Sequence, residues 1–525
     1  MSAQELITDH LDLWTGVVTH KSGSGHSASG KNGKIELTGI KKLRELILEL
    51  AVRGKLVPQS PEDTSFSELL LRLRKNHTPP KTRGRQTVSG EVALDEQPFN
   101  IPRGWAWTRI GETAEILDSQ RKPITKSARK DGPYPYYGAS GIVDYVNDYL
   151  FDEPLVLVGE DGAKWDKGEG TAFPISGKTW VNNHAHVLRP RREAITDEYL
   201  VYFLTAADLN QYITGMTVPK LNQARLSSIP VATPCLEEQH RIVEKVDELM
   251  ALCDRLEQQV GDQMKAHEVL VDTLLDALTR SADAAEVAES WAHVAEHFDT
   301  LFTTEASIDK LKLVVLDLAA SGKLIDFHVE KRPLKNILSF GPRNGLSPKE
   351  SSFHTGIKVL KLGATTKGTL KLSESKDIDI DEPESSHLWL KKGDILIQRG
   401  NAARHVGCNI MIESNQPGFI YPDLMMKIRT KKEANPKFIS YCLSSPQSRI
   451  FMWDRMTGTS GTMPKISKKT VESIPVPLPD IKTQTATVEK VDELMALCDR
   501  LKVRLGETAE TRAQLAEAVV NQTVS

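Results

Sequence analysis

The chain has 525 residues, 39% of them hydrophobic and 26% charged, and its 67 basic and 70 acidic side chains give a formal net charge of −3. This length predicts several compact domains, because one hydrophobic core rarely supports more than about 300 residues. The balanced charge gives no global sign of nucleic-acid binding, and the absence of any apolar run of about 18 residues excludes a membrane-spanning helix.

The N-terminal residues and the cysteines bear on the cellular compartment. Glu5, Asp9 and Asp12 lie where an export signal needs positive charge and an apolar core. The five cysteines are odd in number and widely spaced, which is typical of free thiols rather than of a zinc or redox motif. We therefore expect a cytoplasmic protein that has no membrane partner and binds no metal.

Taken in chain order, the sequence predicts nine segments that follow one plan twice. They are an N-terminal appendage with a Gly/Ser linker (1–38), a short helix (39–57), a linker or insertion (58–98), a globular domain (99–234), a long coiled-coil helix (235–280), a helical connector (281–306), a second short helix (307–325), a second globular domain (326–479) and a second long coiled-coil helix (480–520).

The helices of this plan are repeated in sequence. Residues 243–256 and 488–501 both read VEKVDELMALCDRL, at an offset of 245 residues. Residues 40–56 resemble residues 308–324 at an offset of 268 residues. Because the two offsets differ by 23 residues, we place a longer insertion in the first copy, within residues 58–97. The sequence therefore predicts a pseudo-twofold internal repeat.

Apolar residues in the long helices are spaced three and four apart, as in coiled coils. They are Ile242, Val246, Leu249, Cys253, Leu256 and Val260 in the first helix, and Val491, Leu494, Cys498, Leu501 and Leu505 in the second. Each such seam requires a partner helix. Leu249, Met250, Leu494 and Met495 are therefore candidates for contact with a partner subunit, and packing within the chain is the alternative.

The regions between the helices combine short strands with Gly-rich turns, which predicts mixed α/β domains. Residues 154–163 (PLVLVGEDGA) and 392–401 (KGDILIQRGN) each have the pattern of a buried strand that runs into a polar turn. The two regions differ far more in sequence than the helices do. We therefore expect two domains that share a frame but not a surface.

This arrangement resembles the specificity subunit of type I restriction-modification enzymes. The resemblance extends from about residue 40 to the end of the chain. Its signatures include residues 101–112 (IPRGWAWTRIGE), residues 134–152 (YPYYGASGIVDYVNDYLFD) and the Pro-Lys steps at Pro219 and Pro464.

The resemblance implies that the two globular domains are target recognition domains, each of which reads one half of a bipartite DNA site. It also implies that the long helices pack antiparallel as a spacer between them. Because the two domains differ in sequence, we expect an asymmetric target. A twofold frame that holds two readers at a fixed separation suits half-sites spaced along double-stranded DNA.

The resemblance further implies a non-catalytic chain that has no cofactor of its own. Its expected partners are two modification (methyltransferase) subunits, which use S-adenosylmethionine to methylate adenine. Restriction subunits, which use ATP and Mg²⁺ to translocate and cleave DNA, are expected as well. The alternatives are a specificity chain of a bifunctional nuclease-methylase system and a coiled-coil scaffold that does not bind DNA.

Several side chains in the globular domains have the chemistry that DNA contact requires. Arg121, Lys122 and Lys126 are candidates for phosphate contact, with solvated surface charge as the alternative. Tyr136 and Tyr137 are candidates for stacking or hydrogen bonding along a groove, with packing as the alternative. Arg399 and Asn401 follow a buried strand and suit guanine and adenine respectively.

A Thr-x-Pro-Lys step repeats at the offset of 245 residues. It comprises Thr217, Pro219 and Lys220 in the first copy, and Thr462, Pro464 and Lys465 in the second. We interpret the prolines as first-turn residues of helices, with the threonines near the caps. The lysines then favour a phosphate at each helix N-terminus, and pairing with a nearby carboxylate is the alternative. Asn222 and Lys468 complete the predicted DNA contacts.

Two enzymatic interpretations are rejected on the sequence. Residues 172–179 (AFPISGKT) fit a loose phosphate-loop pattern, but the following residues alternate like a strand where a helix is required. The Asn/Asp-Pro-Pro-aromatic step of an amino-methyltransferase is absent from the sequence.

Overall fold

The computed structural model describes residues 10–16, 19–20, 35–76, 91–215, 217, 219–366, 368–458 and 463–524. Its helices are α1 (Leu11–Gly16), α2 (Thr38–Val52), α3 (Phe66–Asn76), α4 (Ile110–Thr113), α5 (Asp197–Ala206), α6 (Gln223–Ser228), α7 (Leu236–Arg280), α8 (Ala284–Glu296), α9 (Phe298–Leu301), α10 (Glu305–Ala320), α11 (Pro436–Ser444), α12 (Pro446–Trp453), α13 (Lys468–Glu472) and α14 (Ile481–Val524). Within these ranges, no helix is both long and apolar enough to cross a membrane.

The strands fall into two groups, one between α3 and α7 and one between α10 and α14, apart from the first short pair. They are β1 (Thr19–His20), β2 (Ile35–Glu36), β3 (Ala106–Arg109), β4 (Ala114–Ile116), β5 (Tyr134–Gly138), β6 (Gly141–Val146), β7 (Phe151–Asp152), β8 (Leu155–Gly159), β9 (Ala172–Ile175), β10 (Lys178–Val181), β11 (Ala185–Pro190), β12 (Ile213–Thr214), β13 (Lys220–Leu221), β14 (Pro230–Thr233), β15 (Lys331–Pro333), β16 (Leu338–Asn344), β17 (Lys358–Leu360), β18 (Ser375–Asp377), β19 (Ile395–Gln398), β20 (Asn409–Met411), β21 (Phe419–Ile420), β22 (Met425–Thr430) and β23 (Pro475–Pro477).

The chain divides into two compact units. The first comprises Met1–Asp262 with Ala509–Ser525, and the second comprises Gln263–Thr508. Each unit contains a sheet-rich domain, which we call the first and the second sheet-rich domain, and each includes part of both long helices, α7 and α14. The predicted class is confirmed: the fold is mixed α/β, with two sheet-rich domains and two long helices.

In the first unit, the heptad seam of α7 lies in the core. Its residues Ile242, Val246, Leu249 and Cys253 share one apolar cluster with the buried face of α2. Arg44 of α2 bridges Asp254 and Glu257 of α7 at 2.7 and 2.9 Å, which fixes the register of the two helices. The partner that the heptad pattern requires in this unit is therefore the short repeat helix.

The second unit repeats this pairing with α10 and α14. Val491 and Cys498 of α14, which correspond to Val246 and Cys253, are buried in one cluster with Ile308, Leu311 and Val315 of α10. Two ion pairs join the helices, Lys312 with Asp499 and Lys502 with Asp309, each at 2.5 Å. The repeated sequence thus encodes a repeated helix pair.

The segment predicted as a linker or insertion, 58–98, contains the helix α3. Phe66 and Leu70 of this helix are buried against Ala194 of the first sheet-rich domain. Arg74 pairs with the buried carboxylate of Glu112 at 2.9 Å. The Pro- and Arg-rich composition of the segment concealed this short amphipathic helix, which has one apolar face.

The two sheet-rich domains share most of their topology although their sequences diverge; β7 adds a fourth strand to the second sheet of the first domain, whereas three strands are described in that sheet of the second. An antiparallel sheet has the order β4-β11-β8-β9 in the first domain and β16-β22-β19-β20 in the second. In the second sheet of the first domain, β5 and β10 are parallel and β6 is antiparallel to β5. In the second sheet of the second domain, β17 and β21 are parallel and β18 is antiparallel to β17. A two-stranded ribbon, β3-β14 or β15-β23, joins the ends of each domain. Equivalent strands therefore define equivalent residues in the two domains.

Candidate DNA interface

The turn after the buried central strand, β8 or β19, has the same backbone contact in both domains. In the first domain Leu221 donates its N–H to the carbonyl oxygen of Glu160 at 2.9 Å, and in the second Ile466 donates to the carbonyl oxygen of Arg399 at 2.8 Å. Glu160 and Arg399 therefore occupy equivalent positions. A carboxylate in one domain stands where the other domain has a guanidinium.

The lysines of the repeated step lie beside these turns. Lys220 forms an antiparallel bridge with Asp161, and Lys465 forms the equivalent bridge with Gly400. Lys220 belongs to the strand β13, and Lys465 lies in extended backbone. The prediction that this step begins a helix is wrong.

The helices begin four residues after the prolines, and the side chain of the preceding residue caps each of them. The Asn222 side chain accepts a hydrogen bond from the Arg225 N–H at 3.0 Å, and Ser467 accepts one from the Thr470 N–H at 3.0 Å. These polar side chains satisfy N–H groups that the first helical turn leaves free. Asn222 is therefore a helix cap through its side-chain oxygen, and its predicted DNA contact stays untested. Lys468 is the first residue of α13 and is exposed.

The threonines of the step have different outcomes. Thr217 is exposed in a bend before β13 and does not cap a helix. Thr462 lies outside the described residues.

In the first domain, Lys220 belongs to a network of ion pairs. Its ammonium nitrogen is 2.8 Å from Glu160, which is also 2.5 Å from Arg121. Arg121 in turn pairs with Asp118 at 3.1 Å. Burial by itself raises the pKa of Glu160, but the hydrogen bonds from Lys220 and Arg121 hold it below its ordinary value. The carboxylate pairing that was the alternative for Lys220 is therefore present, and Arg121 is engaged in the same way.

Two groups of potential metal ligands lie in the first unit, with ligand atoms within 4.8 Å of one another. They are Asp118, Glu160 and His186, and Asp63, Cys235 and Glu238. In both groups the carboxylates are engaged by protein donors. Arg121 and Lys220 form ion pairs with the carboxylates of the first group. The carboxylates of the second group accept hydrogen bonds from Arg241, Gln59 and Trp105. We therefore assign no metal to either.

Lys122 and Lys126 differ from Arg121 in their surroundings. Both are exposed in the stretch between β4 and β5. Neither side chain forms an ion pair with another described residue, so both cations are available to an anionic ligand. The prediction that they contact phosphate stays untested.

The two predicted stacking tyrosines are covered by protein. Tyr136 is 1% exposed, its hydroxyl accepts a hydrogen bond from the Ile124 N–H at 3.0 Å, and the Arg129 guanidinium lies 4.5 Å from its ring centre. Tyr137 is half-buried, with its ring centre 6.0 Å from that of Phe173. The prediction of a groove contact is wrong for Tyr136, because its ring is part of the packing between the turn and the sheet.

Sequence reasoning missed the exposed apolar residues on the neighbouring edge strand. Ile142, Val143 and Tyr145 of β6 are each about half exposed. Exposed apolar residues on an edge strand are a feature of binding surfaces. The signal in the sequence was the apolar run that follows the Gly138–Gly141 turn, which alternation alone does not assign to either face.

In the second domain, the two candidate DNA contacts after the buried strand β19 differ in whether other protein groups hydrogen-bond to them. Asn401 donates its amide to the Gln398 side chain and accepts the Ala402 N–H, both at 2.7 Å. Both ends of its amide are therefore engaged within the turn, and its predicted role as an adenine reader stays untested. Arg399 is partly exposed, and its guanidinium has no hydrogen bond or ion pair to any residue that the structure describes.

The predicted partner contacts on the long helices are mostly internal. Leu249 is 1% exposed and packs in the core of the first unit, so its prediction as a partner contact is wrong. Met250 packs partly against the same core, and Leu494 and Met495 pack partly against the core of the second unit. These side chains are internal because the short helices α2 and α10 pack over the heptad seams of α7 and α14.

Comparison with known proteins identifies the family. The profile of the type I restriction modification DNA specificity domain matches residues 102–266 and 328–510. The chain belongs to this type I DNA specificity family. The two matched regions contain the two sheet-rich domains and about the first two thirds of each long helix.

Full-length relatives are found within this specificity family. The chain is 30% identical over 605 aligned residues to the type I restriction enzyme EcoEI specificity subunit of Escherichia coli, covering 99% of each chain. It is 30% identical to the EcoAI specificity subunit of Escherichia coli, covering 100% of each chain. A solved chain from a study of assembly and conformational transition of the type I R-M system aligns with a TM-score of 0.50 at 16% identity, over 81% of this chain and 99% of that chain. At that identity the structural likeness supports the fold alone.

Proposed function

We propose that this specificity chain is the DNA-recognition subunit of a type I restriction-modification complex, and that each sheet-rich domain reads one half of a bipartite DNA site. The observation that carries the proposal is that the two domains share the strand order of their four-stranded sheet but present different side chains at equivalent positions. At the equivalent position after the central strand, the first domain has Glu160 and the second has Arg399. Two domains that present different side chains on one frame select different bases, so the target is asymmetric.

The chain supplies target choice and its partners supply the chemistry. Two modification subunits methylate adenine with S-adenosylmethionine, and restriction subunits cleave DNA with ATP and Mg²⁺. We place this complex in the cytoplasm, with the DNA on which it acts. Exposed apolar residues on the helices offer docking surfaces that the buried seams do not. They include Val269 and Leu270 of α7, Leu313 of α10, and Val503 and Leu515 of α14.

Selection from a random duplex pool tests this function. The chain, purified with its modification subunits, is expected to enrich duplexes that carry two conserved blocks at one fixed separation. A hybrid in which residues 99–234 are replaced by the corresponding domain of a relative should change one block and keep the other. Enrichment of no sequence, or a change in both blocks, would contradict the proposal.

A further inference from the structure

The two domains differ in charge along the hairpin that follows the central strand. In the second domain, residues 395–412 contain Arg399, Arg404 and His405 and no acidic residue. The equivalent residues 156–173 of the first domain contain four acids and two lysines. The repeated lysine therefore stands beside an acidic hairpin in one domain and a basic hairpin in the other.

In the first domain, the acidic hairpin neutralises the lysine. Lys220 is 2.8 Å from Glu160, and this hydrogen bond raises the pKa of its ammonium group. Arg121 forms a second ion pair with Glu160 and also pairs with Asp118. A phosphate that approached Lys220 would have to compete with a fixed carboxylate and would be repelled by it.

In the second domain, the equivalent lysine has no such partner. The alkyl chain of Lys465 lies across Gly400. A Cβ atom at position 400 would be only 3.0 Å from the Cγ of Lys465 and 3.5 Å from its Cε. Glycine at this position, equivalent to Asp161, therefore makes room for the lysine and removes an acid. Neither Lys465 nor Arg399 has an ion pair within the described part of the chain. Residues 459–462, which precede Lys465 and lie outside that part, carry no carboxylate.

Arg399 and Lys465 are held together by the backbone. The Gly400–Lys465 bridge and the hydrogen bond from the Ile466 N–H to the Arg399 carbonyl place them on adjacent extended segments. Two neighbouring cations repel each other unless an anion lies between them. A DNA phosphate is such an anion, and a guanidinium beside an ammonium group suits its oxygens.

We propose that Arg399 and Lys465 bind a DNA phosphate in the second domain, whereas Glu160 withholds Lys220 and Arg121 from phosphate in the first. The phosphate contact at this repeated position is thus one-sided. This inference rests on the proposed function, since it specifies how the DNA-recognition subunit contacts the backbone of its target.

The salt dependence of DNA binding tests the inference. The observed binding constant of the chain with its modification subunits is measured from low to moderate salt on a duplex that carries the selected target. Each phosphate contact contributes about 0.9 to the slope of log K against log salt concentration. Lys465→Ala combined with Arg399→Ala is expected to reduce the slope by about this amount and each single variant by part of it, whereas Lys220→Ala is expected to leave it unchanged.

Two further variants control for charge and folding. Arg399→Lys keeps the positive charge and should keep the slope. Glu160→Gln removes the carboxylate that engages Lys220 and Arg121, and should increase the slope. Equal losses for Lys220→Ala and Lys465→Ala, or no loss for Lys465→Ala in a folded protein, would overturn the inference and leave the proposed function intact. Absence of salt-dependent binding by the unmodified complex would overturn both.

Discussion

At the scale of single residues, the hydroxyl of Tyr136 joins the turn that carries Lys122 and Lys126 to the sheet below it. The Tyr136 side chain is buried, and its hydrogen bond to the Ile124 backbone is part-buried. The residue therefore supports the exposed lysines and does not itself reach DNA.

Tyr136→Phe tests this role. We expect it to lower the free energy of unfolding by about 0.5–1.5 kcal/mol, the usual net contribution of one hydrogen bond, and to leave the affinity for DNA unchanged. Denaturant unfolding and DNA titration measure the two quantities. Tyr145→Phe is the control, because Tyr145 is 51% exposed and its loss of a hydroxyl should change the stability little. A weaker affinity for DNA with unchanged stability would assign Tyr136 to the interface instead.

Residue types along the chain identified candidate cations for DNA contact, but not which of them are free of ion pairs within the protein. The lysine of the repeated step was recognisable from its offset. Its environment depends on Glu160, which lies 60 residues earlier in the chain, and on Arg121, a further 39 residues before that. The helix caps Asn222 and Ser467 show the opposite case, since their signal is local. Each is a polar residue directly before a short helix, and the prolines drew attention away from it.

At the scale of secondary-structure elements, charge distinguishes the two helix pairs. The Arg44–Glu257 pair of the first unit places its cation on the short helix, whereas the Asp309–Lys502 pair of the second unit places its cation on the long helix. Glu257 and Lys502 are equivalent at the offset of 245 residues, so the polarity is reversed at one repeated position. Pairing α10 with the segment of α7 that α2 covers would bring Asp309 toward Glu257, which is unfavourable.

The repeated leucine of the long helices gives a matched comparison at this scale. Leu249 is 1% exposed, whereas Leu494, in the identical sequence context, is only half-buried. Leu249→Ala is expected to cost about 2–5 kcal/mol in the free energy of unfolding, and Leu494→Ala less, because the cost scales with the cavity left behind. Chemical denaturation of both variants measures this difference. Equal costs, or loss of partner binding by Leu249→Ala without loss of stability, would show that the seam of α7 is not internal.

An ion pair anchors the predicted insertion to α7 and makes the first unit sensitive to acid. Arg241 contacts both carboxylate oxygens of Asp63, at 3.0 and 2.6 Å, and this hydrogen bonding lowers the pKa of Asp63. A carboxyl whose folded pKa is lowered stabilises the folded state above its unfolded pKa of about 3.9, and this contribution is lost as the pH falls through the folded value.

Asp63→Asn is therefore expected to destabilise the protein at pH 7 by about 0.5–1 kcal/mol, and the difference should shrink toward pH 3. Thermal unfolding at a series of pH values checks this. Asp95→Asn provides the control, because Asp95 is exposed in the same segment and has no ion pair among the residues with described positions. A difference between Asp63→Asn and the unmodified protein that stays constant with pH would exclude the ion pair as its source.

At the scale of the whole molecule, the exact helix repeat predicted the two-copy plan, and the short strands and Gly-rich turns between the helices predicted the mixed α/β class. The topology of the sheet-rich domains was not predictable, because parallel pairing of β5 with β10 joins residues about 44 apart and leaves no local pattern. Nor did the sequence show that the divergent domains share the strand order of their four-stranded antiparallel sheet. That shared order is what makes Glu160 equivalent to Arg399 and makes the two surfaces comparable.

The central claim, that this chain selects a bipartite DNA target for a methylating complex, is tested most directly by mapping adenine methylation across a genome. Long-read sequencing compares cells that carry this gene and its partner subunits with cells in which only this gene is deleted. The account predicts a split, asymmetric methylated motif that disappears on deletion. Methylation of the same motifs in both cell types, with the modification subunits expressed and active, would contradict it.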